Sequence, residues 1–102
     1  MNTIHNNIHY AIQNRLQMEL NYNGEGLRLV EPYCFGLSPV DNYLLRVYQL
    51  KGYTTSIIPG WKLLDLSKIT ELKILTETFD PTSRDEYHIG DKSMKTIFIQ
   101  IY

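Results

Sequence analysis

The first sixteen residues carry apolar side chains at every fourth position. The repeating members are Ile4, Ile8, Ile12 and Leu16. Because side chains four residues apart return to the same side of an α-helix, this spacing predicts an amphipathic helix over about residues 3–15. Asn2 or Thr3 is expected to cap its start, since a short side-chain oxygen can accept from the free amides of the first turn.

The pattern then changes to alternation. From residue 16 to 22, leucine, methionine and tyrosine alternate with glutamine, glutamate and asparagine, which is typical of a half-buried strand. Asn23-Gly24 tolerates the positive φ of a tight turn, so a hairpin to a second strand over about 27–37 is predicted. Pro32 lies inside that strand and is expected to mark a bulge or an edge, because proline has no amide hydrogen to donate.

Further short apolar stretches follow, separated by turn residues. We interpret them as strands over about 43–50, 54–58, 61–66 and 69–79, the second of them irregular. One helix followed by five or six short strands predicts a mainly β fold. The expected form is a small barrel or a strongly curled antiparallel sheet, with an N-terminal helix and a short C-terminal extension.

The C-terminal extension fits two structures. A polar stretch near residues 79–85 separates the barrel, about 16–79, from a tail, about 86–102. Asp91 is able to start a helix there, whereas the apolar residues 97–102 are equally good strand material. Of the two, the helix is our prediction for the tail.

Length and charge limit the classes of protein. The 102 residues form one domain, 1–102, and ten basic residues against eleven acidic ones leave a formal net charge of -1 with no basic arm for duplex DNA. No apolar run is long enough for a membrane span, and the N-terminus has no signal-peptide pattern. With a single cysteine, Cys34, these features predict a cytoplasmic protein that makes no membrane contact.

No residue pattern supports catalysis or a cofactor. Gly24-Glu25-Gly26 precedes a strand, whereas a phosphate-binding loop precedes a helix. His5 and His9 lie four apart on the first helix, but no third metal ligand is evident, so we interpret them as surface polar residues. Cys34 would need a base, and His88 is the one histidine outside the first helix; a small buried hydrophobe is the expected role. The sequence predicts no enzyme, no metal and no cofactor.

Cations and aromatic residues on predicted strands are the candidates for ligand binding. These residues are Tyr22, Arg28, Tyr43, Arg46, Trp61 and Lys62. A charged residue in the middle of a strand must face solvent, a partner or a ligand, and Arg46 interrupts an otherwise apolar run. If folding gathers these side chains on one face, they form an anion pocket.

Each candidate also has a structural interpretation. Arg28 is able to form a salt bridge with Glu31 or Glu19, and Lys62 to lie on a solvated strand face. For the aromatic members the alternative is the hydrophobic core, which applies to Trp61 and Tyr43.

Several stretches of the chain, taken in sequence order, resemble elements of the WYL domain family. Residues 28–33 match the family's Arg-x-x-Glu-Pro element, and residues 42–44 lie where its Trp-Tyr-Leu triplet belongs. Residues 62–69 lie where the family has Arg-x-Phe-x-Leu-Asp-Arg-Ile, and Phe79 fits the aromatic residue that follows. The resemblance covers about residues 8–79.

The resemblance implies a small Sm-like or SH3-like barrel. It also implies a module that senses a ligand or contacts nucleic acid, usually attached to a DNA-binding helix-turn-helix in bacterial regulators. In the family, basic residues on the barrel form the presumed anion site. The positions of this chain that match are Tyr22, Arg28, Tyr43, Lys62 and Lys68.

The departures from the family pattern bear on ligand and partner. The Trp of the triplet is Asn42, and the two later arginines are Lys62 and Lys68. Lysine keeps the positive charge but loses the planar fork that binds a phosphate through two hydrogen bonds. The first helix, about twelve residues long, is too short to supply a helix-turn-helix. Three alternatives follow: the chain acts alone, it works on a partner protein that carries the DNA-binding function, or it has been cut from a longer ancestor.

These observations predict a non-enzymatic, ligand-sensing module in transcriptional regulation. Its ligand is expected to be a nucleotide or nucleic acid, bound on a basic and aromatic face of the barrel. The alternative is a protein–protein adaptor or homodimerisation module that uses the tail 86–102 and has no small-molecule ligand. The predicted ligand-binding residues are Tyr22, Arg28, Tyr43, Arg46, Trp61, Lys62 and Lys68.

Overall fold

The N-terminal helix is formed as predicted. The computed structural model describes residues 3–53, 58–84 and 86–102, so a cap at Asn2 lies outside the described residues. Helix α1 spans Thr3–Asn14 and buries its apolar face, including Ile8 and Ile12. At Arg15 the backbone turns into the first strand with a φ of 54°.

Within the described residues, six strands follow the helix. They are β1 Leu16–Tyr22, β2 Leu27–Leu37, β3 Tyr43–Gly52, β4 Gly60–Asp65, β5 Ile69–Thr78 and β6 Thr96–Gln100. All pairings are antiparallel, the strand order is β4-β3-β2-β1-β5, and β6 pairs with β2 beside that path. The bounds of β1 and β2 agree with the prediction. The irregular strand expected over about 54–58 lies, except for residue 58, outside the described residues.

The mainly β fold with an N-terminal helix is confirmed. The described part of the sheet is open, because β4 and β5 stand at the two ends of the strand order without pairing with each other. The molecule extends 30 × 28 × 26 Å. Since stacked sheets are only about 10 Å apart, a flat sheet would be far thinner than this, so the sheet is strongly curled.

The β1–β2 connection contains three residues with positive φ, of which Gly26, at 124°, directly precedes β2. Asn23 has a φ of 58° and Gly24 a φ of 69°, the backbone that a tight two-residue turn requires. The amide of Glu25 donates to the carbonyl oxygen of Tyr22 at 3.1 Å. The predicted hairpin is therefore confirmed.

Strand β2 changes partner near Pro32, and the bulge predicted at this proline lies there. Up to Val30 it pairs with β1, and from Cys34 onward its same edge pairs with β6. The register against β3 shifts between Pro32 and Cys34. Because Pro32 has no amide hydrogen, the bulge falls where the ladder loses least.

The helix predicted in the tail is wrong. Asp91 caps only a turn, in which its side chain accepts from the Ser93 amide at 2.9 Å. The Lys95 amide then donates to the carbonyl oxygen of Leu37 at 2.7 Å, and β6 begins at Thr96. Without β6, residues 34–37 of β2 would have an unpaired edge. The hydrogen bonds gained by pairing that edge outweigh the helical preference of the tail.

The core fills the concave side of the sheet beneath α1. Its fully buried members include Ile8, Ala11, Met18, Leu20, Val30, Leu45 and Val47. Because strand side chains alternate between faces, these residues identify which positions of each strand point inward. No helix in the described ranges is long and apolar enough to cross a membrane.

Candidate anion site

Arg28 is a charged residue on the inner face of the sheet. Its cross-strand partner in β1 is Leu20, a core residue, and it lies two residues before buried Val30. Only 7% of the Arg28 surface is exposed. The alternation of β2 thus places a guanidinium at the end of the hydrophobic core, where water solvates it poorly.

The contacts of Arg28 leave its charge incompletely neutralised. The guanidinium lies 4.8 Å from the centre of the Tyr22 ring, and Nη1 donates to Oε1 of Gln49 at 3.2 Å. The nearest carboxylate oxygen that it faces, Oε1 of Glu25, is 3.9 Å away. Nε of Arg28 is buried and has no hydrogen-bond partner among the described residues. The salt bridge expected with Glu31 or Glu19 does not form.

Gln49 orients the guanidinium. Its side chain is fully buried, and Nε2 contacts the carbonyl oxygens of Lys51, Gly52 and Tyr53 at 3.3, 3.3 and 3.1 Å. Because those carbonyls require the amide nitrogen, Oε1 must point at Arg28. Gln49 is not among the residues predicted from the sequence, although its place two residues after Val47 indicates an inward position.

Lys62 brings a second positive charge to the same face. It pairs across β4 and β3 with buried Val47, so the two side chains share the inner face. Burial lowers the pKa of Lys62, and the charge of Arg28 lowers it further. Tyr22 belongs to the group through the contact of its ring with Arg28, and its hydroxyl accepts from the Asp65 amide at 3.0 Å. We call Tyr22, Arg28, Gln49 and Lys62 the anion cluster.

The other predicted ligand-binding residues lie elsewhere. Arg46 points to the outer face of β3, where Asp91 accepts from its Nε at 2.7 Å and from its Nη2 at 3.3 Å. Trp61 directly precedes Lys62 in β4 and therefore points to the opposite face. Tyr43 is 41% exposed and contacts aromatic rings near α1, and Lys68 is an exposed residue of a 3-10 turn. Folding thus brings together three of the predicted residues.

The histidine and cysteine candidates have structural roles. Cys34 is fully buried, and burial raises its pKa to about 12, so its thiol is not a nucleophile at neutral pH. His5 is not on the surface as expected: it is 9% exposed and its ring lies 4.4 Å from that of Tyr43. No group of three potential ligands able to hold a metal ion occurs in residues 3–53, 58–84 and 86–102.

Comparisons with protein-family models, with curated proteins and with solved structures found no match to this chain. The resemblance to the WYL family stays a prediction, based on residues 28–33, 42–44 and 62–69. The anion cluster offers two cations, a phenol and an amide. Groups of these kinds are able to hold an anion.

Proposed function

We propose that this domain is a non-enzymatic regulatory module that binds a small phosphate-bearing anion at the anion cluster. The observation that carries the proposal is the buried guanidinium of Arg28. Its ion pair with Glu25 is long, at 3.9 Å, its Nε has no hydrogen-bond partner among the described residues, and a second cation, Lys62, lies beside it. A nucleotide or the end of a nucleic acid has the matching charge.

The physical reason is that the cluster is electrostatically costly without an anion. Burying a charge without a close counter-ion is unfavourable, and Arg28 repels Lys62. Two unit charges 4 Å apart near a protein surface interact by about 4 kcal/mol, so an anion between the two cations would offset both terms. The guanidinium fork also suits a phosphate, to which Nε is able to donate.

The position of the cluster favours a small ligand over duplex nucleic acid. Since Arg28 is only 7% exposed, a single phosphate group would contact it more readily than a rigid double helix would. The net charge of -1 also provides little general attraction for a polyanion. A nucleotide or a single-stranded end is therefore the preferred ligand class.

The proposal extends to the biological setting. We propose a WYL-like domain of a bacterial, cytoplasmic regulator that acts with a partner protein carrying the DNA-binding function. The residues 28–33, 42–44 and 62–69 support the family. A single cysteine, Cys34, held as a buried free thiol, suits a reducing compartment.

Ligand-dependent thermal stabilisation tests the anion site. Inorganic phosphate, AMP and a short single-stranded RNA are titrated at two salt concentrations while the melting temperature is recorded. A ligand that binds the folded state raises the melting temperature. At a ligand concentration 100 times Kd, the free energy of unfolding increases by about 2.7 kcal/mol. The gain should shrink at high salt. Arg28→Gln and Lys62→Gln should each abolish the rise in melting temperature. Arg28→Lys, which keeps the positive charge, should retain part of it.

The matched control is Lys68→Gln. It removes the same charge from an exposed position outside the anion cluster, so it should keep the full response. The proposal fails if no phosphate compound raises the melting temperature, or if the Lys62 and Lys68 variants respond equally. If the Arg28 variants do not fold, the response of the Lys62 variant alone tests whether the anion cluster binds phosphate.

A specific observation also favours the adaptor or homodimer alternative. Phe98 in β6 is 39% exposed and lies 6.0 Å from the ring of Tyr43, itself 41% exposed. Large exposed aromatic residues at one place are typical of protein contacts. An adaptor of this kind would show no phosphate-dependent stabilisation in the same titration.

A further inference from the structure

A cavity of about 620 Å³ lies on the outer face of the sheet. Arg46 of β3 and Trp61 of β4 form one side, and the loop 86–93 forms the other. Arg46 pairs with Leu63. Leu63 and Trp61 are two residues apart in β4 and therefore point to the same face, whereas Lys62 between them faces inward. The cavity is therefore separated by the sheet from the anion cluster, and its volume is within the range of small-molecule sites, about 300–1,000 Å³.

The aromatic wall of the cavity is rigid and flat. Trp61 lies between aromatic rings: it forms edge-to-face pairs with Tyr33 at a centroid distance of 4.8 Å and with Tyr48 at 5.1 Å. Tyr87 lies nearly parallel to it, at 24° and 5.8 Å. The Tyr87 hydroxyl is held by donation to the carbonyl oxygen of Ile101 at 2.8 Å. A wall that is already ordered takes up a planar ligand at little entropic cost.

The polar side of the cavity is an ordered ion pair. Arg46 donates to Asp91 through Nε and Nη2, and Nη2 also donates to Oγ of Ser93 at 3.4 Å. Nη1 of Arg46 has no hydrogen-bond partner in the described part of the chain. Burial opposes ionisation of Asp91, but hydrogen bonds from Arg46 and Ser93 outweigh it and lower its pKa. The pair thus places Nη1 of Arg46, a donor, beside the Asp91 carboxylate, whose side chain is 9% exposed.

The charges around the cavity cancel. Arg46 and Lys92 contribute two positive charges, and Glu86 and Asp91 two negative charges. A ligand with a net charge would therefore meet no complementary field here, unlike at the anion cluster. Three features of the cavity define the ligand that fits: its flat aromatic wall, its Arg46–Asp91 ion pair and its lack of net charge.

We propose that this cavity binds an uncharged, planar nitrogen heterocycle of purine or pyrimidine size. Its ring would lie against Trp61, while a ring N–H donates to Asp91 and a ring nitrogen or carbonyl oxygen accepts from Arg46. Stacking of a base on an aromatic side chain contributes about 1–3 kcal/mol. The site is distinct from the anion cluster, since Trp61 and Lys62 point to opposite faces of β4.

Trp61 is the single tryptophan of the chain, so its fluorescence reports directly on the cavity. The native protein is titrated with adenine, with uracil, and with cyclohexanol as a non-planar compound. Adenine or uracil should change the fluorescence saturably, and cyclohexanol should not. Ile89→Glu places a charge on the cavity rim and should weaken the affinity at least tenfold. Val40→Glu makes the same kind of change at a residue that does not line the cavity and should leave the affinity unchanged.

The proposal is overturned if neither heterocycle produces a saturable change, or if the Ile89 and Val40 variants bind equally. The indole N–H resonance of Trp61 provides a second reading in the native protein that depends on no variant. Arg28→Gln should keep the adenine response while losing the phosphate response. Failure of this site and failure of the anion site are therefore separate results.

Discussion

Arginine side chains at three places show how strongly context decides the role of one residue type. Arg84 binds the buried carboxylate of Glu31 through two hydrogen bonds, at 2.8 and 2.7 Å. Arg46 binds Asp91 in the same two-point manner. Arg28 has no such partner and faces an amide instead. The first two arginines hold the long connection after β5 against the sheet, whereas Arg28 makes no two-point contact with a carboxylate.

At this scale, Arg84→Met should be strongly destabilising. It would leave Glu31, which is 1% exposed, as a buried charge without a counter-ion. Removing one partner of a buried ion pair costs about 3–5 kcal/mol in the free energy of unfolding, measured by urea denaturation. Glu31→Gln in the same chain should recover part of the loss, because the uncompensated charge is gone.

Lys68→Met is the matched control for that experiment, because it removes an exposed cation. Its cost should stay within about 0.5 kcal/mol. A double variant no more stable than Arg84→Met alone would contradict the assignment of the loss to the charge of Glu31.

Among the elements, β2 organises the molecule. It pairs with β3 along its length and with β1 and then β6 on its other edge. Gly36 permits the last of these pairings. A Cβ atom there would collide with the carbonyl oxygen of Thr96 and come within 2.8 Å of Sδ of Met94. The tail docks because this position has no side chain.

Gly36→Ala should therefore release the tail from β2. Overpacking of this kind costs about 1–3 kcal/mol, and limited proteolysis should cut within 86–102 faster than in the native chain. Gly24→Asn is the control, because a Cβ at Gly24 meets no atom within 4 Å and asparagine tolerates the positive φ. If the alanine variant resists proteolysis as the native chain does, the tail does not depend on this close approach.

On the scale of the whole molecule, acid should act in two stages. Burial lowers the pKa of His5 below its ordinary 6.5, so the unfolded chain takes up a proton first and stability falls as the pH drops below 6.5. The pKa of Asp91 is below its ordinary 3.8. Its contribution is present above that value and is lost as the pH falls through the lower, folded-state pKa.

Urea unfolding between about pH 8 and pH 3 tests this order, in a range that spans the ordinary pKa values of histidine and aspartate. The free energy of unfolding should decline first below the histidine value and again below the aspartate value. His5→Phe should lack the first decline and keep the second. A native profile that is flat down to pH 5 would contradict the role assigned to His5.

Much of the fold was readable from local patterns. The four-residue spacing from Ile4 defined the helix, and the alternation around Asn23-Gly24 defined the hairpin with both of its strands. Pro32 predicted the bulge in β2. These features depend on neighbours within a few residues, so short-range sterics and burial periodicity suffice to predict them. The inward positions of Arg28 and Lys62 follow from the same alternation.

What depends on distant neighbours was decided only by folding. The tail became a strand because β2 had a free edge, and Glu31 paired with Arg84, 53 residues away, instead of Arg28. Trp61 and Arg46 went to the outer face of the sheet, away from the cations with which they had been grouped. Which charges meet is set by sheet register and curl, and these arise from the packing of the entire chain, which no short window of residues contains.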